Sequence, residues 1–426
     1  MKFYEIDHVI CCSDNEALPF TEAPEERRGE VEVYLFEGEW KMRRSSFLVN
    51  DPALLCAAEE NASWLSSLEL HRDGKAGEPL PKEVQRAIEE ERLRAVNLSH
   101  PQFRRILTEN LPLGLPKDGK KPAKKVVHVL AIGDVGSNLL TGLHLLGGDC
   151  ISRIGICDIS DKITARWEFE ENQIAYPWDY NALPEVYVVD REHLFACDVF
   201  VFIASAGIPA VGSGVKDVRM WQLERNSKII ADYAKQARRE HFKGLFCEVA
   251  DPVDPLAKAA YLASNEDENG NFDGMGLLPE QIQGFGLGVM NARAAYYAKR
   301  DNRFMQFLTE GRTFGPHGQE LVVANSIKHY DDALSRELTE LTVTANMKMR
   351  ELGFKPYVAP AFSSGALSIL LTIRGEWHCG SIFLGGIYMG VKNRYTPFGQ
   401  EHEILPMPEA LYKRIKEAED HLHTVN

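Results

Sequence analysis

The 426-residue chain has no Cys-x-x-Cys pair, no excess of cations, and no apolar run near the roughly twenty residues a membrane helix needs. Each shortage removes a class of protein. The eight cysteines (11, 12, 56, 150, 157, 197, 247 and 379) sit mostly in apolar contexts such as "LFCEV" and "GICDI". There a reduced thiol behaves as a small buried hydrophobe. No ligand spacing supports zinc, so no metal is expected. Lys and Arg number 48 against 62 Asp and Glu, a net charge of −14. Nucleic-acid binding needs clustered cations, so no such partner is expected. The opening "MKFYEIDHVICC" lacks a basic stretch followed by a clean apolar run, and the expectation is a cytoplasmic protein with no membrane partner. No internal repeat is present.

What is there is ordinary globular material, 44% hydrophobic and 26% charged, long enough for two or three domains. Residues 1–49 read as strand-rich, in "YEIDHVICC" and "EVEVYLFEGEW". Residues 51–110 read as helical, in "DPALLCAAEENASWLSSLEL" and "PKEVQRAIEEERLRAVNL", with Asp51–Pro52 as N-cap and first-turn proline. The Pro-, Gly- and Lys-rich stretch 111–125 reads as a linker. After it the texture changes to strand–helix alternation. Strands are expected at 126–132, 153–157, 186–189, 198–204, 244–249 and 281–286, with helices at 135–146, 161–174 and 218–240 between them. That order predicts a parallel, doubly wound α/β sheet. Helices near 290–311 and 328–353, strands at 380–392 and a last helix at 407–423 follow. The expected division is an α+β N-terminal extension (1–110), the linker (111–125), a Rossmann domain (126–286) and an α+β substrate domain (287–426).

The stretch "HVLAIGDVGSNLLTGL" (128–143) runs an apolar strand into a glycine turn and a helix. The dinucleotide fingerprint asks for Gly-x-Gly-x-x-Gly there, and Ala131, Gly133 and Gly136 hold the three positions. Gly133 lets backbone approach a pyrophosphate, Gly136 lets helix and strand pack, and the helix N-terminus offers free N–H groups to phosphates. Asp158 ends the second strand, placed for an adenine ribose diol, and a carboxylate there favours NAD over NADP. The acid- and glycine-bearing "YLASNEDENGNFDG" (261–274) lacks calcium-loop spacing and is expected to be a solvated loop.

Further motifs come in order: "ICDISDK", "VFIASAGIPAVGSGVKDV", "VADPVDPLAKAAY", "GFGLGVMNARAAY" and "TFGPHGQE". With "IGDVGSNLLTGL" this series resembles the lactate/malate dehydrogenase superfamily over about residues 126–426. The resemblance implies an NAD-dependent oxidoreductase. It implies a cofactor site built from Ala131, Gly133, Asp134, Val135, Gly136, Asp158, Ala204 and Gly207. It also implies His317 as proton donor and acceptor and Arg293 as the clamp for a substrate carboxylate. Homo-oligomers are usual in the family.

Three departures cluster at the substrate. Met290 stands where the family has the aspartate that orients the histidine, leaving Asp251 or Glu320 as substitutes. Asp251 itself stands where the family has asparagine, and could face His317 or a cation on the substrate. Ala210 and Lys216 stand where the family carries two loop arginines. Lysine keeps the charge of one without its fork. The expectation is hydride transfer at the 2-carbon of a carboxylate-bearing substrate other than ordinary malate or lactate, with His317, Arg293, Asp251 and Lys216 as catalytic residues. The alternatives are an imine-reducing, opine-like dehydrogenase, or a non-catalytic NAD-binding subunit of a complex.

Overall fold

A computed structural model describes residues 1–57, 59–72, 79–109, 112–207, 218–354 and 358–425. The extension forms a six-stranded mixed sheet of β1 (Lys2–Ile6), β2 (Val9–Ser13), β3 (Thr21–Glu22), β4 (Val33–Phe36), β5 (Ser46–Leu48) and β6 (Arg94–Asn97), ordered β3-β1-β2-β4-β6-β5. β2, β4 and β6 run parallel. Short helices α1 (Ser67–Leu70), α2 (Lys82–Glu89) and α3 (Phe103–Thr108) complete it.

Two helical expectations fail here. Residues 51–70 break into 3-10 turns and one short α-turn because Asp51, Asn61 and Ser66 each cap a new start with their side chains. The expected helix over 81–98 stops at Glu89, Glu91 takes a left-handed φ of 52°, and "RAVN" becomes the fully buried β6. Pairing on both sides, with β4 and β5, outweighs the local helix propensity.

The expected Rossmann strands all form: β7 (Lys125–Leu130), β8 (Ile151–Cys157), β9 (Glu185–Val188), β10 (Val199–Phe202), β11 (Leu245–Glu248) and β12 (Ile282–Gly284). All are parallel, in the order β9-β8-β7-β10-β11-β12. The near-continuous apolar content of β10 and of β11 up to its last residue fits strands buried on both faces, while β9 at the sheet edge leaves Glu185 and Val188 exposed. The crossovers use α4 (Asp134–Leu146), α5 (Asp161–Glu171), α6 (Val218–Arg239) and α7 (Val253–Ser264). The strand order reverses between β7 and β10, and in this topology ligands bind at the carboxyl ends beside that point.

The sheet does not stop at β12. After α8 (Leu287–Ala298), α9 (Phe307–Glu310), a hairpin of β13 (Arg312–Phe314) and β14 (Val322–Ala324), α10 (Asp332–Glu351) and α11 (Ser368–Arg374), the chain adds β15 (His378–Leu384) antiparallel to β12. β16 (Ile387–Thr396) and β17 (Gly399–His402) extend it to nine strands, and α12 (Glu409–Thr424) closes the chain. The helix expected over 290–311 breaks after Ala298 because the Asp301 side chain caps a separate 3-10 turn.

The extension is welded to this body. One apolar core joins Phe47, Trp64 and Ala95 to Phe314, Ile382, Met389 and Ile415. Within it the fully buried Arg44 pairs with Glu60 at 2.6 Å and donates to His402 Nδ1 at 3.3 Å. Burial and Arg44 push the His402 imidazole down to about 3, so it stays neutral and donates from Nε2 to the Trp64 carbonyl.

Candidate active site

The loop after β7 is shaped as a dinucleotide cradle requires. A Cβ on Gly136 would lie 2.0 Å from the Ala131 carbonyl oxygen, so only glycine lets α4 start this close to the strand. A Cβ on Gly133 would meet nothing within 4 Å, which leaves open space over the N-terminus of α4. Ala131, in place of the fingerprint's first glycine, sits at φ 76°, a left-handed conformation that costs a side-chain-bearing residue about 1 kcal/mol. Asp158 is fixed beside this turn: Oδ2 accepts from the Ile132 N–H at 2.8 Å and Oδ1 from the Ser160 N–H at 3.1 Å. Each oxygen keeps a lone pair for a diol. Open space above a helix N-terminus, with an anchored acid beyond it, fits a dinucleotide with an unsubstituted 2′-hydroxyl.

Across the crevice one pocket is lined by Val135, Asp251, Gly286, Arg293, His317 and Ser364. Four residues singled out in the sequence, from four separate segments, therefore meet. His317 follows β13, whose hairpin and β16 hold it through the Gly315 N–H bond to the Gly390 carbonyl. A Cβ on Gly286 would approach the His317 Cβ to 2.8 Å, so glycine is what admits the imidazole here.

The orientation of that imidazole is set without the missing aspartate. Nδ1 donates to the backbone carbonyl of Gly286 at 2.9 Å. The same oxygen accepts from the Ser364 hydroxyl at 2.7 Å, while Ser364 Oγ accepts from the Val289 N–H at 2.8 Å. Ser364 lies in a π-helical turn, Ser363–Leu367, and such turns often mark functional sites. Nε2 is left facing the pocket, 3.7 Å from Asp251 Oδ1. Asp251 thus lies against the outer nitrogen, not the one the family's aspartate would hold.

Of the two acids named as substitutes for that aspartate, Glu320 is excluded. Its carboxylate stands 3.6 Å from His421, while His317 Nδ1 is taken by the Gly286 carbonyl. Met290 is buried, and its sulfur is the hydrogen-bond acceptor of Arg293, at 3.7 Å. A thioether is a weak acceptor, so the half-buried guanidinium keeps most of its donors. Burial holds the Arg293 pKa below its ordinary value, partly offset by Asp251.

Three further residues were not singled out in the sequence, although Asp254 lies within the quoted "VADPVDPLAKAAY". Asp254, fully buried, accepts from the His317 backbone N–H at 3.1 Å and from the Ser381 hydroxyl at 2.5 Å. Burial raises its carboxyl to about 6. Ser364 is one serine among many. Asn226 is wholly buried on α6 and ties the two loops together: Oδ1 accepts from the Ala206 N–H at 2.8 Å, and Nδ2 donates to the Asp251 carbonyl at 2.8 Å. It thereby anchors the segment carrying Ala204 and Gly207, the latter at φ 89°. Ala210 and Lys216 lie outside the described residues.

No family model matches the chain, and no curated protein matches it. Solved structures do. A lactate dehydrogenase from a Medee basin deep-sea metagenome library aligns at TM-score 0.55 and 17% identity, over 70% of this chain and 97% of that one. The minor L-lactate dehydrogenase of Enterococcus mundtii gives 0.57 and 15%, over 71% and 97%. The malate dehydrogenase of Picrophilus torridus gives 0.54 and 18%, over 71% and 96%. The chain has the lactate/malate dehydrogenase fold over about 70% of its length.

Proposed function

We propose that the protein is an NAD-dependent oxidoreductase that moves a hydride between the nicotinamide and the 2-carbon of a small carboxylate-bearing substrate. The observation that carries this is the convergence of Arg293, His317 and Asp251 with Val135, at the mouth of the cradle, in one pocket. When bound, NAD supplies the hydride, and every other requirement falls to the chain. Arg293 pairs with the substrate carboxylate, because a half-buried guanidinium whose acceptor is a thioether gains most from an anion. His317 moves the proton at Nε2, the nitrogen that the Nδ1–carbonyl bond leaves toward the pocket. The family's aspartate does two jobs, and here they are divided. The Gly286 carbonyl orients the ring, and Asp251 stabilises the protonated imidazole from its outer side. Lys216 is assigned to the same substrate as a second cation, and the working unit to a homo-oligomer.

One observation favours a second substrate type. Asp251 is 59% exposed and turns its carboxyl group into the pocket. An iminium nitrogen would be stabilised by it where a ketone oxygen would not. The test is NADH consumption over a panel of 2-oxo acids with and without added ammonium or amines, with NADH binding followed by fluorescence. Turnover without amine identifies a 2-oxo acid reductase, and turnover only with amine identifies an imine reductase. Binding without turnover on any substrate overturns the oxidoreductase reading in favour of a nucleotide-binding subunit.

A further inference from the structure

Asn226 stands where two halves of the candidate site meet. It is wholly buried on α6, and both polar atoms of its side chain are in use. Oδ1 accepts from the Ala206 N–H at 2.8 Å, in the loop that leaves β10. Nδ2 donates to the Asp251 carbonyl at 2.8 Å, in the loop that leaves β11, and to the Ser205 hydroxyl at 3.3 Å. Ser205 Oγ in turn accepts from the Gly207 N–H at 3.1 Å.

β10 and β11 are parallel neighbours, and their ladder runs on to the Val249 N–H, which donates to the Phe202 carbonyl at 3.0 Å. Past that rung the carboxamide joins the two chains, offering an acceptor and a donor as a peptide unit does. What it grips matters because of Asp251. That side chain is 59% exposed and meets His317 Nε2 at 3.7 Å, too long for a hydrogen bond to lock it there. Its direction is therefore inherited from its main chain, which Asn226 holds at the Asp251 carbonyl.

We propose that Asn226 is a positioning residue for the proton carrier: it ties the Asp251 main chain to the loop after β10 and so keeps the Asp251 carboxyl group beside His317 Nε2. The inference rests on the oxidoreductase reading and deepens it. The loop carrying Ala204 and Gly207, assigned to the cofactor, and the acid beside His317 then form one unit.

The test compares the full-length wild type with Asn226→Ala, Asp251→Asn and the double variant, on the best substrate of the 2-oxo acid and amine panel. kcat is read at saturating NADH, and NADH affinity is followed separately by fluorescence. Asn226→Ala is expected to lower kcat about tenfold, with KM for the substrate within about twofold because Arg293 is untouched. Added to Asp251→Asn it is expected to cost less than about twofold, since the group it positions is already gone. Asn226 is buried, so its loss can disturb folding. If Asn226→Ala melts below the assay temperature, Ser205→Ala, at an exposed position, takes its place in the cycle. Its expected loss is about two- to threefold in kcat, absent from the Asp251→Asn background. Equal losses in the two backgrounds, or a loss confined to KM, overturn the inference while leaving the oxidoreductase reading intact. A wild type that turns over no substrate of the panel overturns both.

Discussion

At the scale of single residues, the site is governed by where protons are held. Asp254 is the clearest case, since burial raises its carboxyl from the ordinary 3.8 to about 6. The folded state therefore keeps a proton that the unfolded chain releases. The stability this contributes is full below pH 3.8 and is lost as pH rises through 6, a change of about 3 kcal/mol. Urea midpoints from pH 3.5 to 7, roughly spanning that interval, should fall for the wild type relative to Asp254→Asn. Parallel curves would show that Asp254 titrates normally. Ser364 acts through the Gly286 carbonyl, so Ser364→Ala should lower kcat about tenfold while leaving NADH affinity unchanged. Equal losses in both would reduce Ser364 to a structural role.

At the scale of elements, the turn from β7 to α4 is the most constrained. Gly136→Ala places a Cβ 2.0 Å from the Ala131 oxygen and must displace either the strand end or the helix. NADH affinity should drop at least tenfold by fluorescence titration, and an unaltered affinity would remove this turn from the cofactor site. The six parallel strands were legible in the sequence because they are short apolar runs, most of them buried and most separated by helical crossovers. β6 was not, since "RAVN" follows a good helix former and is a strand only through its neighbours. Much of the candidate site was legible too, because His317, Arg293 and Asp251 stand within ordered motifs. The support behind them was not. Ser364 and Asn226 are common residue types that matter only through contacts to segments 78 and 25 residues away in sequence, to the Gly286 and Asp251 carbonyls. The substitute for the missing aspartate is a backbone carbonyl, which no sequence pattern can signal.

At the scale of the whole molecule, the extension is part of the body. Its Phe47 and Trp64 share a core with Phe314, three residues before His317, and each such side chain stabilises the fold by about 1.5–3 kcal/mol on burial. Deleting residues 1–110 should leave an insoluble or molten product, and a soluble, NADH-binding remainder would contradict the shared core. Phe169, Tyr176, Trp178 and Tyr180 are exposed at 56–90% on and just after α5, an apolar face in keeping with the proposed homo-oligomer. Sedimentation of Trp178→Asp should show smaller species than the wild type. The central claim, that this crevice performs hydride transfer with His317 as its proton carrier, is tested most directly by comparing wild type with His317→Asn for NADH binding and NADH consumption on the best 2-oxo acid or imine. The account predicts equal NADH affinity and loss of turnover in the variant. Turnover undiminished by the substitution would contradict it.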